Sequence, residues 1–145
     1  MRGIPCLWCV TVVALVAGGC SRSSGPPRQP TYPLTGVVTV DGQPAKEVRV
    51  AVHPAGATDP ESAVATAFTD ENGKFSLSTY ESGDGVPEGE YVVTFMWGTI
   101  NPFSFQYGPP DKLNGRYADP AKSQFRVKVE KGKPADMGTI SLSTK

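Results

Sequence analysis

The residues able to do chemistry in this chain are few. Cys6, Cys9, Cys20 and His53 are the only thiols and the only imidazole among 145 residues. Cys6 and Cys9 have the CxxC spacing of redox and zinc sites. Both belong to an apolar leader, described below, and would leave with it. His53 closes the alternating segment KEVRVAVHP on the side of Glu47, Arg49 and Ala51, so it is expected at the surface. A triad or a His-rich metal site needs partners that this context does not supply. Carboxylates gather in two places. In TDENG, residues 69–73, an EF-hand frame counted from Asp70 would need Gly at the sixth position and Glu at the twelfth. Gly73 is fourth and Ser82 twelfth, so the segment is expected to be a hairpin turn in which Asp70 bonds its own backbone. Glu81, Asp84, Glu88 and Glu90 crowd the Gly-rich stretch YESGDGVPEGE. A solvated acidic loop is the expectation there and calcium the alternative. No catalytic residue, metal site or cofactor is assigned.

The aromatic residues offer a different chemistry. Residues 91 to 117 hold seven of the thirteen aromatics: Tyr91, Phe95, Trp97, Phe103, Phe105, Tyr107 and Tyr117. Most of that stretch belongs to GTINPFSFQYGPPDKLNGRYADPAK, residues 98–122, which has no sustained period. Aperiodic connections longer than about 15 residues are usually functional or packed by their own side chains. Trp97, Phe103, Phe105, Tyr107 and Tyr117 are therefore candidate contacts for a ligand or partner, by stacking on sugar faces or anchoring a protein. Phe103 to Tyr107 alternates aromatic and polar, which suggests an ordered edge strand bounded by Pro102 and Pro109-Pro110. Aromatics facing inward would make this segment a lid over the sandwich, the arrangement expected here. Facing outward, they would make it a recognition strip.

The chain opens MRGIPCLWCVTVVALVAGGC. Arg2 precedes a ten-residue apolar run, Leu7 to Val16, half the length needed to span a bilayer and the length of a signal-peptide core. Ala17, Gly18, Gly19 and Cys20 follow. This resembles a bacterial lipoprotein signal, with Ala17 where Leu is usual. The resemblance implies a leader over 1–19, a lipid on the Cys20 thiol, a membrane as partner through that anchor, and an extracytoplasmic domain at the cell envelope. An ordinary secretory leader cut near Cys20 is the alternative. Residues 20–33, rich in Pro and Ser, are expected to be a solvated tether.

The elements that must position everything else come from 34–145. Gly at 16 and Pro at 14 punctuate the chain too often for a helical bundle. Lys plus Arg and Asp plus Glu are 14 each, and that balance argues against nucleic acid as a partner. From Leu34 the hydrophobic period is two. It predicts strands around Leu34–Val40, Val48–Val52, Ala63–Phe68, Phe75–Leu77, Glu90–Trp97, Phe125–Val129 and Met137–Ser143. Val92 and Met96 opposite Tyr91, Val93 and Phe95 mark a central strand. Val50, Phe75, Leu77, Tyr91, Val93, Phe95, Val127, Ile140 and Leu142 form the expected core. Seven strands without a helix predict an all-β, antiparallel, immunoglobulin-like sandwich.

GVVTVDGQP, KEVRVAVHP, TDENGKFSL and GEYVVTF together resemble the carboxypeptidase-regulatory-like and transthyretin-like superfamily, here in a small bacterial lipoprotein. These are turn and core motifs, so they imply a transthyretin-like sandwich and leave function open. Its hydrolase members use several histidines and a C-terminal YRGS, whereas this chain has one histidine and ends SLSTK. Related dioxygenases hold iron with two Tyr and two His, which one histidine cannot supply. The Lys–Asn crosslink of Cna-B-type modules lacks its Lys in LTGVVTV and its Asn in MGTISLS. The expectation is a non-catalytic, lipid-anchored envelope protein with a structural or protein-interaction role. The alternative is a module binding carbohydrate or another small ligand through 98–122, with envelope proteins or polysaccharide as partners.

Overall fold

The computed structural model of the chain describes residues 27–145. The leader, Cys20 and the first part of the tether lie outside those residues. The described chain is all-β, with twelve strands in four sheets where seven were expected. The seven expected segments are all strands: β2 (Leu34–Val40), β4 (Arg49–Pro54), β5 (Ala65–Phe68), β6 (Lys74–Ser76), β8 (Gly89–Met96), β11 (Arg126–Val129) and β12 (Ala135–Leu142). The five others are two-residue pieces: β1 (Thr31–Tyr32), β3 (Gln43–Pro44), β7 (Val86–Pro87), β9 (Thr99–Ile100) and β10 (Tyr107–Gly108). β1 pairs with β7, so the fold begins at Thr31, inside the stretch expected to be tether.

One large sheet runs β11-β8-β4-β5, antiparallel throughout. In the other, β2 pairs with β12 along one edge and with β3 and β6 along the opposite edge. The β2–β12 pair is parallel, which corrects the expectation of a wholly antiparallel sandwich. β2 and β12 run the same way because the chain crosses from β11 in the other sheet through Glu130–Pro134 before β12 starts beside Leu34.

Alternation puts one face of each sheet into a shared core. Eight of the nine expected core residues are buried, from Val50 to Leu142, and Val127 is only half-buried because β11 is an edge strand. Leu34, Val38, Val40, Val48, Val52, Val86, Leu113 and Val129 pack into the same core, with Ala45 and Ala65. β8 lies between β11 and β4 and is buried on both faces, as a central strand should be. Tyr91 donates its hydroxyl to the Pro87 carbonyl at 2.9 Å and fixes the corner where β7 becomes β8.

The turn at 69–73 is a hairpin turn. Asp70 accepts from the amides of Asn72 at 2.8 Å and Lys74 at 2.9 Å. Gly73 has φ +74°, and a Cβ there would meet the Val38 carbonyl oxygen at 2.2 Å, so no other residue fits. Asp84 in the acidic stretch is committed to backbone as well, accepting from the amides of Thr79, Tyr80 and Glu81.

His53 is a correction. It is 1% exposed, and Ala51 beside it is buried too. Alternation along β4 correctly turns both away from the main core. The face they reach is covered by the segment between Ala55 and Val64, whose 3-10 turn is Pro60–Ser62.

Candidate interaction site

The segment 98–122 is ordered, and its two halves do different work. The second half completes β8. Beyond the four residues paired with β11, the β8 backbone would have unpaired amides, which are costly when buried. Phe125, Tyr117 and Asp111 supply the acceptors in turn: Val93 N donates to Phe125 O at 2.8 Å, Phe95 N to Tyr117 O at 2.9 Å, and Trp97 N to Asp111 Oδ1 at 2.9 Å. Lys112 N returns a bond to Trp97 O at 2.9 Å. Asp111 also accepts from the amides of Leu113 and Gly115, both at 2.9 Å. Leu113 is driven into the core. The edge is thus covered by 109–122 rather than by Phe103, Phe105 and Tyr107.

The first half, 99–108, is a hairpin of β9 and β10 that projects beyond the sheet. Asn101 builds its turn: its side-chain oxygen accepts from the amides of Phe103 at 2.9 Å and Ser104 at 3.2 Å, and its carbonyl from Phe105 N at 2.8 Å. Phe105 has φ +55°, the left-handed region where a bulky side chain costs roughly 1 to 2 kcal/mol. The expected Phe103–Tyr107 edge strand is therefore absent. The alternation of types is real, but Asn101 curls the chain into a turn before it can extend.

This turn carries Phe103, 93% exposed, and Phe105, 83% exposed. Ile100 on β9 is also exposed, and no side chain from Thr99 to Pro110 is charged. Tyr107 instead turns inward and anchors the hairpin. Its hydroxyl accepts from Gly98 N at 2.6 Å and lies 2.8 Å from the carbonyl oxygens of both Glu47 and Met96. Burial raises its pKa, against a lowering by the backbone hydrogen bonds around it. The Tyr107 ring meets Phe68 edge-on at 4.9 Å, and Phe68 is itself half exposed.

The five candidate contacts divide accordingly. Phe103 and Phe105 share the tip. Trp97 lies at the base, half-buried, with Nε1 donating to Lys46 O at 3.1 Å and Lys112 Nζ above its ring at 4.5 Å. Tyr107 is the hinge pin. Tyr117 belongs elsewhere: it tilts against Phe125 and accepts from Ser143 N at 3.1 Å. The expected lid is not what the tip forms. Phe68, which reads as one more strand residue, and Ile100, one apolar residue of the aperiodic segment, are exposed too, on β5 and β9.

The hairpin also has a definite orientation. β1 pairs with β7, and β8 starts two residues after β7 ends. The hairpin follows the other end of β8. Eight residues at about 3.4 Å each separate the two ends by roughly 25 Å. The tip and the point where the described chain begins are on opposite ends of the sheet.

Among the described residues, no three His, Cys, Asp or Glu side chains are placed to hold a metal ion. His53 faces hydroxyls on both ring nitrogens, Ser62 at 3.2 Å and Thr94 at 2.9 Å.

The chain matches no protein-family model and no curated protein sequence. Solved structures with a similar backbone include a DUF3823 family protein from Parabacteroides merdae, at 18% identity and a TM-score of 0.39, over 80% of this chain and 46% of that one. A proposed carbohydrate-binding protein from Pseudomonas aeruginosa is similar at 15% identity and a TM-score of 0.44, over 81% of this chain and 90% of that one. The major pilin subunit of Bacillus cereus is similar at 16% identity and 0.42, over 79% of this chain and 30% of that one. The chain thus spans less than half the length of the Parabacteroides protein.

Proposed function

We propose that this chain is a non-catalytic interaction module of the cell envelope, a carboxypeptidase-regulatory-like sandwich held to a membrane by lipid on Cys20. Its contact element is the hairpin 99–108, which docks Phe103 and Phe105 into an apolar pocket of a protein partner. The observation that carries this reading is the tip itself: two phenylalanines more than four-fifths exposed on a turn whose base is pinned by Tyr107. Fully burying a Phe side chain is worth about 1.5 to 3 kcal/mol, so two together make an effective anchor. A pinned hairpin also loses little conformational freedom on docking.

A protein pocket is favoured over carbohydrate. Sugar recognition needs polar groups converging beside the aromatic rings. Here the Asn101 side-chain oxygen is already occupied by the turn, and no carboxylate or cation from Thr99 to Pro110 stands beside the rings.

The test is crosslinking in intact cells of the native host, comparing the full-length chain with a Phe103→Ser/Phe105→Ser variant. Loss of a discrete protein adduct, with the variant still folded and membrane-bound, supports the reading. Equal adducts from both proteins would contradict it, as would saturable binding of purified envelope polysaccharide that requires the two phenylalanines. The anchor is tested separately. Cys20→Ala should release the protein from membranes, because stable anchoring depends on acyl chains. An unmodified Cys20 in the mature protein would contradict the anchor and leave the tip untouched.

A further inference from the structure

The face of the β11-β8-β4-β5 sheet turned away from the core carries Ala51, His53, Val92 and Thr94, all buried. In register, Ala51 lies opposite Thr94 and His53 opposite Val92. Part of this face is closed by the chain between β4 and β5. That segment is tied down at its ends, by Ala55 N to Glu90 O and Val64 N to Val52 O, both at 2.9 Å. Between them, its hydrogen bonds stay local. Ala57 N donates to Pro54 O, Ser62 N to Asp59 O, and Glu61 N to the Asp59 carboxylate. Among the described residues, the hydrogen bond that fastens the segment to the sheet beyond the Ala57–Pro54 turn is the one between His53 and Ser62.

The hydroxyls around His53 decide where its proton sits. Ser62 donates its hydroxyl proton to the Asp59 carbonyl at 2.5 Å, so toward His53 its oxygen can only accept. His53 Nδ1, 3.2 Å away, must therefore carry the hydrogen. Nε2 of the neutral ring is then bare and accepts from the Thr94 hydroxyl at 2.9 Å. A second proton on Nε2 would oppose that hydroxyl. Thr94 would have to turn toward the Ala51 carbonyl at 3.5 Å, the limit of a hydrogen bond. The ring would become a cation with almost no water contact, and such a charge needs a partner or a way out.

We propose that neutral His53 is a latch holding residues 57–63 across the outer face of the sheet, and that protonation of Nε2 releases the segment because the buried cation must reach water, not because the Nδ1–Ser62 bond is lost. Release widens a hollow of about 200 Å³ that Pro60 and Glu61 wall on one side and Arg49, Ala51, Thr94 and Met96 on the other while the segment is in place. The charged groups around the ring are mixed. Arg49 comes from the same strand, and Asp59 and Glu61 from the covering segment. Glu90 comes from β8, and Arg126 from β11, in register with Val92. Burial and then Arg49 resist protonation of His53, while Asp59 favours it. This device is independent of the tip hairpin and of the anchor.

The test uses nuclear magnetic resonance on the full chain, titrated from pH 8 to pH 4. At pH 8 the imidazole nitrogens should report a hydrogen on Nδ1 and none on Nε2. As the ring titrates, backbone order parameters for 57–63 should fall from about 0.85 to below 0.6, while β4 and β8 stay rigid. Ser62→Ala removes the latch partner, so its 57–63 segment should be mobile already at pH 8, with no further loss on acidification. A hydrogen on Nε2 at pH 8 would overturn the proposal. So would unchanged order at 57–63 through the titration, or a ring that stays neutral until the whole fold unfolds.

Discussion

The hydroxyl of Tyr107 accepts the amide proton of Gly98 at 2.6 Å and so closes the base of a hairpin whose tip is all but fully solvated. The same hydroxyl reaches the carbonyls of Glu47 and Met96, which join the hairpin to the start of β4 and the end of β8. Gly98 is required for this approach, since a Cβ there would lie 2.4 Å from the Gly108 carbonyl oxygen. One side chain thus determines whether the phenylalanines are held still or merely attached.

Tyr107→Phe keeps the ring against Phe68 and removes the oxygen. It should cost about 1 to 3 kcal/mol, because the Gly98 amide loses its acceptor. Amides of 99–108 should exchange faster while those of β8 stay protected. A denaturant melt and hydrogen exchange read the two effects separately.

Phe105→Gly should remove half of the contact surface without loss of stability. Glycine accepts the left-handed φ of +55° that phenylalanine adopts at a cost. The variant should therefore melt no lower than the natural chain, to within about 0.5 kcal/mol. Its association with a partner should nonetheless fall. Stability and binding moving apart at one residue is the mark of an interaction element.

The core makes a contrasting prediction. Gly36 pairs with Phe75 across β2 and β6, and a Cβ at 36 would come within 2.7 Å of the Phe75 ring. Gly36→Ala overfills that contact and should cost about 1 to 3 kcal/mol. Phe75→Ala empties it and should cost about 3 to 5 kcal/mol. The double variant should lose less than the sum of the two, as a double-mutant cycle in denaturant will measure.

Much of the fold could be read from local pattern, because alternation and turn chemistry act over a few residues. Asp70 and Gly73 specify their turn alone, and the two-sided burial of β8 follows from Val92 facing away from Tyr91 and Val93. What could not be read depends on distant partners. The parallel pairing of β12 with β2 depends on where β11 leaves the opposite sheet. His53 was placed on the correct face of β4, but its burial comes from a covering segment that no period announces. The aromatic concentration in 91–117 includes the two exposed phenylalanines of the tip. Its period suggested a strand because alternation does not register Asn101 as the residue that curls the chain.

The pH dependence of stability should follow from His53. Burial first, and Arg49 next, lower its pKa below the ordinary 6.5, with Asp59 opposing. The unfolded chain then binds a proton that the folded chain refuses. This contribution is complete above pH 6.5 and is lost as pH falls through the lowered folded value. Denaturant midpoints measured from pH 8 to pH 5 should decline below pH 6.5, and His53→Gln should flatten that decline.

The most direct test of the interaction module is a photoreactive benzoylphenylalanine placed at residue 103 of the full-length chain in its native host, with the same group at Lys131 near the opposite end as the control. The account predicts a discrete protein adduct from position 103 that disappears when Phe105→Ser is added, and no such adduct from position 131. Adducts to lipid or glycan from position 103, or the same protein adduct from both positions, would contradict it.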